Sequence, residues 1–238
     1  METSPGEEAE PAPSFPDRYA AGARLAAALM TYRGTNPLVL GIPRGGVLVA
    51  AEVARRLEAE LDVVIARKLE VPDEPELAMG ALTADGEVYV NEYTIAAHDV
   101  TPEQLAAVIT REAAQVKERE ERFRGERPPL QVANRTVIVV DDGLATGATM
   151  RATLRALRML QPARLVAAAP VGPPDTCQEL QQDADEVVCL SIPASFSSVG
   201  SHYDDFRPPA DETVQQLLQE FDTGAHRLPT RPPCRDGD

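Results

Sequence analysis

The stretch TVIVVDDGLATGATM, residues 136–150, decides how this chain is read. A strand-forming run, unbroken by charge, leads straight into Asp141 and Asp142, and then into a loop of Gly, Leu, Ala and Thr. Such an uninterrupted run suits a parallel strand covered on both faces. In open α/β sheets ligands bind beyond the carboxyl ends of strands of this kind. Gly143 and Gly147 let the backbone turn and present its N–H groups, Ala145 and Ala148 keep side chains out of the way, and Thr146 and Thr149 add hydroxyls. The helix predicted next offers unpaired amides and the positive end of its dipole. Residues 143–149, Leu144 included, therefore read as an anion cradle suited to a phosphate monoester. No Gly-Lys-Ser/Thr follows, so this is not a Walker A loop. Asp141 and Asp142 then suit a ligand with neutral hydroxyls or a magnesium ion beside its phosphate. They can accept from two vicinal ribose hydroxyls or orient metal-bound water. An Asp-Gly turn alone would mean no more than a strand end with a capped helix. Strand, paired acids, Gly/Thr loop and helix in one run point to the sugar phosphate.

The same alternation of strand and helix signals extends to either side. DRYAAGARLAAALMTYRG (17–34) predicts a helix, LVLGI (38–42) a strand, and GVLVAAEVARRLE after Gly45 a second helix. LDVVIA (61–66) is the next strand, with Arg67 and Lys68 directly after it and expected in the same crevice as the cradle. Residues 69–92 carry a turn signal and a β-rich run, read as a small hairpin or flap. TPEQ (101–104) is a capping box with Pro at the first helical position. The helix it opens runs to about Gly125, with a thin apolar stripe of Leu105, Val108, Ile109, Val116 and Phe123. Its heavy charge predicts that it lies on the surface or against a partner. RLVAAAP and EVVCL are further strands, and DETVQQLLQEF is the closing helix. The fold class expected is α/β: a doubly wound, mostly parallel sheet of about five strands, with a small hood and an inserted long helix.

Residues 1–16, with four prolines and four glutamates, read as a disordered acidic tail. Residues 17–225 form one domain, and 226–238 a loose C-terminal tail. The 43% hydrophobic content supports a sizeable core, and 4% aromatics with no Trp make that core aliphatic. Lys plus Arg number 23 against 38 Asp plus Glu, a net charge of −15. A polyanion would be repelled by that field, so neither nucleic acid nor a membrane surface is an expected partner. Any anionic ligand must be held by local donors. Cys177, Cys189 and Cys234 lack metal spacing and suggest free thiols in a reducing, cytoplasmic setting. The N-terminal stretch has no apolar core of a secretory signal.

Two further stretches belong to the candidate site. GIPRGG (41–46) follows the first strand at the same sheet edge. Arg44 can add a bidentate contact there, while Gly45 and Gly46 let amides approach a diphosphate. SFSSVGSHYDDF (195–206) follows the last strand, and its Phe196, Val199 and Tyr203 are candidates to anchor this long loop to the core. His202 is the one histidine nearby and is read as structural or solvated, not as catalytic.

TVIVVDDGLATGAT resembles the ribose-phosphate signature of the type I phosphoribosyltransferases. The order of elements from about residue 15 to 222 is similar to that family, in particular to its bacterial members of unassigned substrate. The resemblance implies Mg2+-dependent use of phosphoribosyl pyrophosphate, with an unidentified nitrogenous base displacing pyrophosphate at C1 through an oxocarbenium-like transition state. It implies the pyrophosphate loop at Arg44, Gly45 and Gly46, leaving-group contacts at Arg67 and Lys68, ribose and water-mediated metal contacts at Asp141 and Asp142, and a hood over the base in which Phe196, Val199 and Tyr203 would suit a flat heterocycle. A homodimer is the expected assembly. Two departures stand out. VPDEPELAMG (71–80) is acidic where orotate-type relatives carry a basic mobile loop, and Ala145 stands where hypoxanthine-guanine-type relatives carry an acidic proton acceptor. No general base is assigned. The alternative function is a non-catalytic regulator that binds phosphoribosyl pyrophosphate or a nucleotide; a hydrolase lacks any nucleophile constellation to support it.

Overall fold

The computed structural model describes residues 14–223 except Asp85 and Glu87, and leaves out the side chains of Pro75 and Glu76. Most of the tail expected at 1–16, and all of that expected at 226–238, lies outside the described residues, as does Cys234. The boundary at residue 16 needs correction: Phe15 is fully buried, and its amide donates to the carbonyl of His202 at 2.8 Å.

Five parallel strands form the core sheet: β1 (Leu38–Gly41), β2 (Glu60–Val63), β6 (Thr136–Val140), β7 (Arg164–Val171) and β8 (Glu186–Ser191), in the spatial order β2-β1-β6-β7-β8. Side chains alternate across it. Val39, Ile138, Val140, Val166 and Ala168 pack on one face, Leu38, Leu40, Val137, Val139 and Ala167 on the other. Both faces are covered by helices, which is why the strand sequences are apolar almost throughout, Asp62 on β2 being an exception. One layer holds α1 (Arg18–Ala28), α2 (Gly45–Leu57) and α7 (Asp211–Asp222); the other holds α5 (Ala148–Met159) and α6 (Pro174–Leu180). The first helix opens where Asp17 accepts from the Ala20 amide at 2.7 Å.

The expected flap is a three-stranded antiparallel sheet, β3 (Ala66–Val71), β4 (Glu74–Thr83) and β5 (Val88–Val90), followed by the short α3 (Glu92–Ala97). It rests partly on α5, where Ala81 packs with Ala152 and Ala156 and the Arg155 guanidinium lies 5.6 Å from the Tyr89 ring centroid. The long helix α4 (Pro102–Arg124) follows, opened by the capping box between Thr101 and Gln104. Most of it is exposed, as expected of a surface helix, but one stripe turns inward. Val108, Val116 and Phe123 are buried within this chain, and so are two charged residues, Glu112 and Arg124. Arg124 reaches both carboxylate oxygens of Asp62 on β2 at 3.2 Å, while Arg127 approaches the same acid at 3.6 Å. Buried partners let these two charges turn inward, which the count of charges along the helix does not reveal. Among the described residues, no helix is long and apolar enough to cross a membrane.

Candidate sugar-phosphate site

Strands β1 and β6 are neighbours, and the segments leaving their carboxyl ends meet. The amide of Ile42 donates to the carbonyl of Val140 at 2.9 Å, so the turn into α2 starts beside Asp141. The peptide between Pro43 and Arg44 is cis. A β-carbon on Gly46 would lie 2.7 Å from the Val140 carbonyl oxygen and 3.1 Å from Oδ1 of Asp141. Both glycines of this turn are thus packed directly against the paired acids, Gly46 on Asp141 and Gly45 on Asp142.

The cradle itself is held from below. Leu144 is buried, and its amide donates to the Val171 carbonyl at the end of β7 at 2.8 Å. Gly147 has φ +68°, and a β-carbon there would fall 2.6 Å from Cγ2 of Thr176, whose hydroxyl donates to the Ala145 carbonyl at 2.9 Å. With their carbonyl side anchored, the amides of Ala145, Thr146 and Gly147 meet no acceptor among the described residues. Ala145, Thr146 and Thr149 are exposed, and Ala148 opens α5. The hollow over this loop has a volume of about 210 Å³ and is bounded by Asp141, Gly143, Thr146, Thr149 and Val199. Free amides at a helix start, without a neighbouring lysine, can bind a dianion through hydrogen bonds and the helix dipole.

Asp141 and Asp142 differ in their surroundings. Oδ1 of Asp141 accepts from the Asp142 amide at 2.9 Å. Burial, and then the neighbouring charge of Asp142, push its carboxyl well above the usual range. Burial raises Asp142 too, but there the guanidinium of Arg18 opposes it, with Nε donating to Oδ2 at 2.6 Å. No motif in the sequence singled out Arg18, which lies in a segment expected only to form a helix. One signal was present: a cation in the first turn opposes the helix dipole, so it needs some other partner.

A family model for the phosphoribosyl transferase domain matches residues 14–205. The chain belongs to that family. It is 40% identical over 227 residues to a Mycobacterium tuberculosis (strain ATCC 25618 / H37Rv) protein named "Putative phosphoribosyl transferase Rv0571c", covering 93% of this chain and 51% of that protein. The chain thus spans about half the length of the curated relative. Among solved structures, TT1426 from Thermus thermophilus is 43% identical, with a TM-score of 0.82, covering 87% of this chain and 99% of that one.

Within this phosphoribosyl transferase domain the remaining candidate residues are less gathered than the sequence suggested. Arg67 and Lys68 do not end β2; they begin the hood strand β3 and, as neighbours in a strand, point to opposite faces. Arg67 donates to Glu112 on α4 at 2.9 Å, and Lys68 pairs with Glu70 at 3.3 Å, so they do not face one crevice together. Arg44 is exposed and reaches Asp211, at the start of α7, at 3.5 Å. Val199 closes over Gly143, leaving 2.3 Å between its Cγ1 and any β-carbon there. Phe196 is half-buried and stacks on His202 with centroids 5.6 Å apart. Tyr203 is buried, its ring between Phe15 and Phe206 and its hydroxyl donating to the Asp142 carbonyl at 2.6 Å. A ring enclosed on that scale buttresses the acids rather than offering a face to a heterocycle. Cys177 and Cys189 are free thiols.

Proposed function

We propose that this domain is a Mg2+-dependent phosphoribosyltransferase that takes phosphoribosyl pyrophosphate and a nucleobase-like acceptor and releases pyrophosphate. The observation that carries this reading is the contact between the two loops: an amide cradle and a pair of acids on one strand end, packed against the Gly45–Gly46 turn of the next. That arrangement suits a ligand with a phosphate at one end, a diol in the middle and a diphosphate at the other. The amides of residues 145–147 and the hydroxyls of Thr146 and Thr149 hold the 5-phosphate. Asp141 and Asp142 accept from the ribose hydroxyls, and the negative charge of Asp142, paired with Arg18, lies near the ring as C1 becomes cationic. The start of α2 offers amides to the pyrophosphate, with Arg44 beside it; its exposed pair with Asp211 is weak enough to exchange for a ligand. Among the described residues no three metal-ligating side chains converge, but Mg2+ binds through one or two carboxylates, phosphate oxygens and water, so Asp141 and Asp142 fit that role. When bound, the ion would neutralise charge on the departing diphosphate. The base would lie near Val199 and Phe196.

Calorimetric titration with phosphoribosyl pyrophosphate, with and without Mg2+, followed by a screen of bases for pyrophosphate release, tests this reading. Tight binding with release for one base is expected; no binding at all would remove it. One observation favours the second reading, a non-catalytic binder of the same ligand: Arg67 is already paired with the buried Glu112, which leaves less cationic charge for a leaving group. Binding without release for any base would support that reading.

A further inference from the structure

The guanidinium of Arg18 sits where three distant parts of the chain converge. Its Nε donates to Oδ2 of Asp142 at 2.6 Å, its Nη1 donates to the Arg207 carbonyl at 2.9 Å, and its central carbon lies 3.9 Å from the centroid of the Phe206 ring. The two charged side chains are 7% and 16% exposed, so neither is free to swing into water. Gly45 packs against the same carboxylate oxygen and against Nε of Arg18. Tyr203 holds the Asp142 carbonyl at 2.6 Å. Asp142 is therefore held at its backbone and at one carboxylate oxygen, while Oδ1 meets no donor among the described residues.

A buried ion pair contributes little net stability, because desolvation offsets most of its attraction. What it does supply is geometry. An aspartate left to itself samples several rotamers, and a ligand must then order it on binding. Here the guanidinium fork, pinned by a carbonyl and an aromatic face, leaves the carboxylate one arrangement. We propose that Arg18 is a positioning residue of the sugar site, which locks the Asp142 carboxylate so that Oδ1 stays open to a ligand hydroxyl. Through Arg207 and Phe206 it also ties that geometry to the segment after the last strand. This rests on the reading of Asp142 as a ribose acceptor.

The test is calorimetric titration of the full chain with two probes, ribose 5-phosphate and inorganic phosphate. The second engages the cradle and has no hydroxyls for Asp142. The variants are Arg18→Gln, Arg18→Lys, Asp142→Asn and the Arg18→Gln/Asp142→Asn pair. Losing a charged partner predicts that Arg18→Gln weakens ribose 5-phosphate about tenfold and leaves inorganic phosphate unchanged. Arg18→Lys, which keeps the charge but not the planar fork, falls between. In the Asp142→Asn background, Arg18→Gln has no further effect. Unchanged ribose 5-phosphate affinity in Arg18→Gln, or an equal loss for both probes, overturns the proposal. Should Arg18→Gln fail to fold, Arg18→Lys carries the same comparison. If the unmodified chain binds ribose 5-phosphate no more tightly than phosphate, the sugar-site reading fails first and this proposal falls with it.

Discussion

A β-carbon on Gly45 would stand 1.8 Å from Oδ2 of Asp142, so the start of α2 and the end of β6 fit together only because residue 45 has no side chain. The same β-carbon would lie 2.7 Å from Nε of Arg18. Gly45→Ala must therefore push the carboxylate away from its guanidinium or move the helix start. Overpacking of this kind costs about 1–3 kcal/mol, expected as a lowered urea midpoint. Affinity for ribose 5-phosphate should fall more than affinity for inorganic phosphate, because Gly45 packs on Asp142 and Arg18 and not on the cradle. A variant with unchanged stability and unchanged affinity would show that the two loops are not in contact.

Gly147 is constrained twice, by φ +68° and by Cγ2 of Thr176 at 2.6 Å from where a β-carbon would be. Gly147→Ala should destabilise by about 1–3 kcal/mol, a cost typical of a strained backbone position. Here inorganic phosphate is the informative probe. Its affinity should drop, since the amides of Ala145 to Gly147 lose their shared orientation. Thr176→Val, which removes the donor to the Ala145 carbonyl but adds no bulk at residue 147, should give the same defect in milder form.

These two positions also show what could and could not be read without coordinates. Glycines at 45, 46, 143 and 147 were visible as places where backbone approaches something, because a side chain's absence is written in the sequence. The parallel sheet was legible for a similar reason: its strands are apolar on both faces, and only double coverage explains that. Partnership was not legible. Arg67 and Lys68 look like one basic pair, but whether a strand runs through them decides which way each points, and β3 begins one residue earlier. Arg18 meets Asp142 across 124 residues of chain. No local pattern marks such a contact, and α4 hid its buried acid and arginine among exposed ones for the same reason.

The acid pair should cost stability at neutral pH. Asp141 titrates well above the usual carboxylate range in the folded chain because burial and the Asp142 charge disfavour its ionised form. The folded state then holds a proton that the unfolded state has already released, so unfolding free energy declines as pH rises. The penalty is absent below the unfolded aspartate pKa, grows as pH climbs from there to the raised folded value, and is complete above it. Asp141→Asn removes the charge and should be more stable than the unmodified chain at pH 7, with the gain shrinking toward pH 4 (roughly the unfolded aspartate value). Urea denaturation in metal-free buffer at both pH values checks this; a variant less stable than the parent at pH 7 would contradict the cause assigned to the shift. The same variant should lose ribose 5-phosphate affinity, a case of function held at the expense of stability.

The ion pair between Arg124 and Asp62 should behave in the opposite way, affecting the fold and not the site. Arg124 is buried, and it contacts both oxygens of an acid on the edge strand β2. Arg124→Met keeps the length of the side chain but leaves Asp62 facing Arg127 alone, at 3.6 Å. Removing one partner of a buried pair costs about 3–5 kcal/mol, chiefly because the other charge is left without compensation. Neutralising that charge should therefore recover part of the loss, so Asp62→Asn in the Arg124→Met background is expected to be more stable than Arg124→Met by itself. Neither residue touches the cradle or the acids at 141 and 142, and inorganic phosphate affinity measured well below the unfolding transition should match that of the parent. If the double replacement is no better than the single one, the buried charge is not what Arg124 compensates, and the helix is held to β2 by its apolar stripe instead.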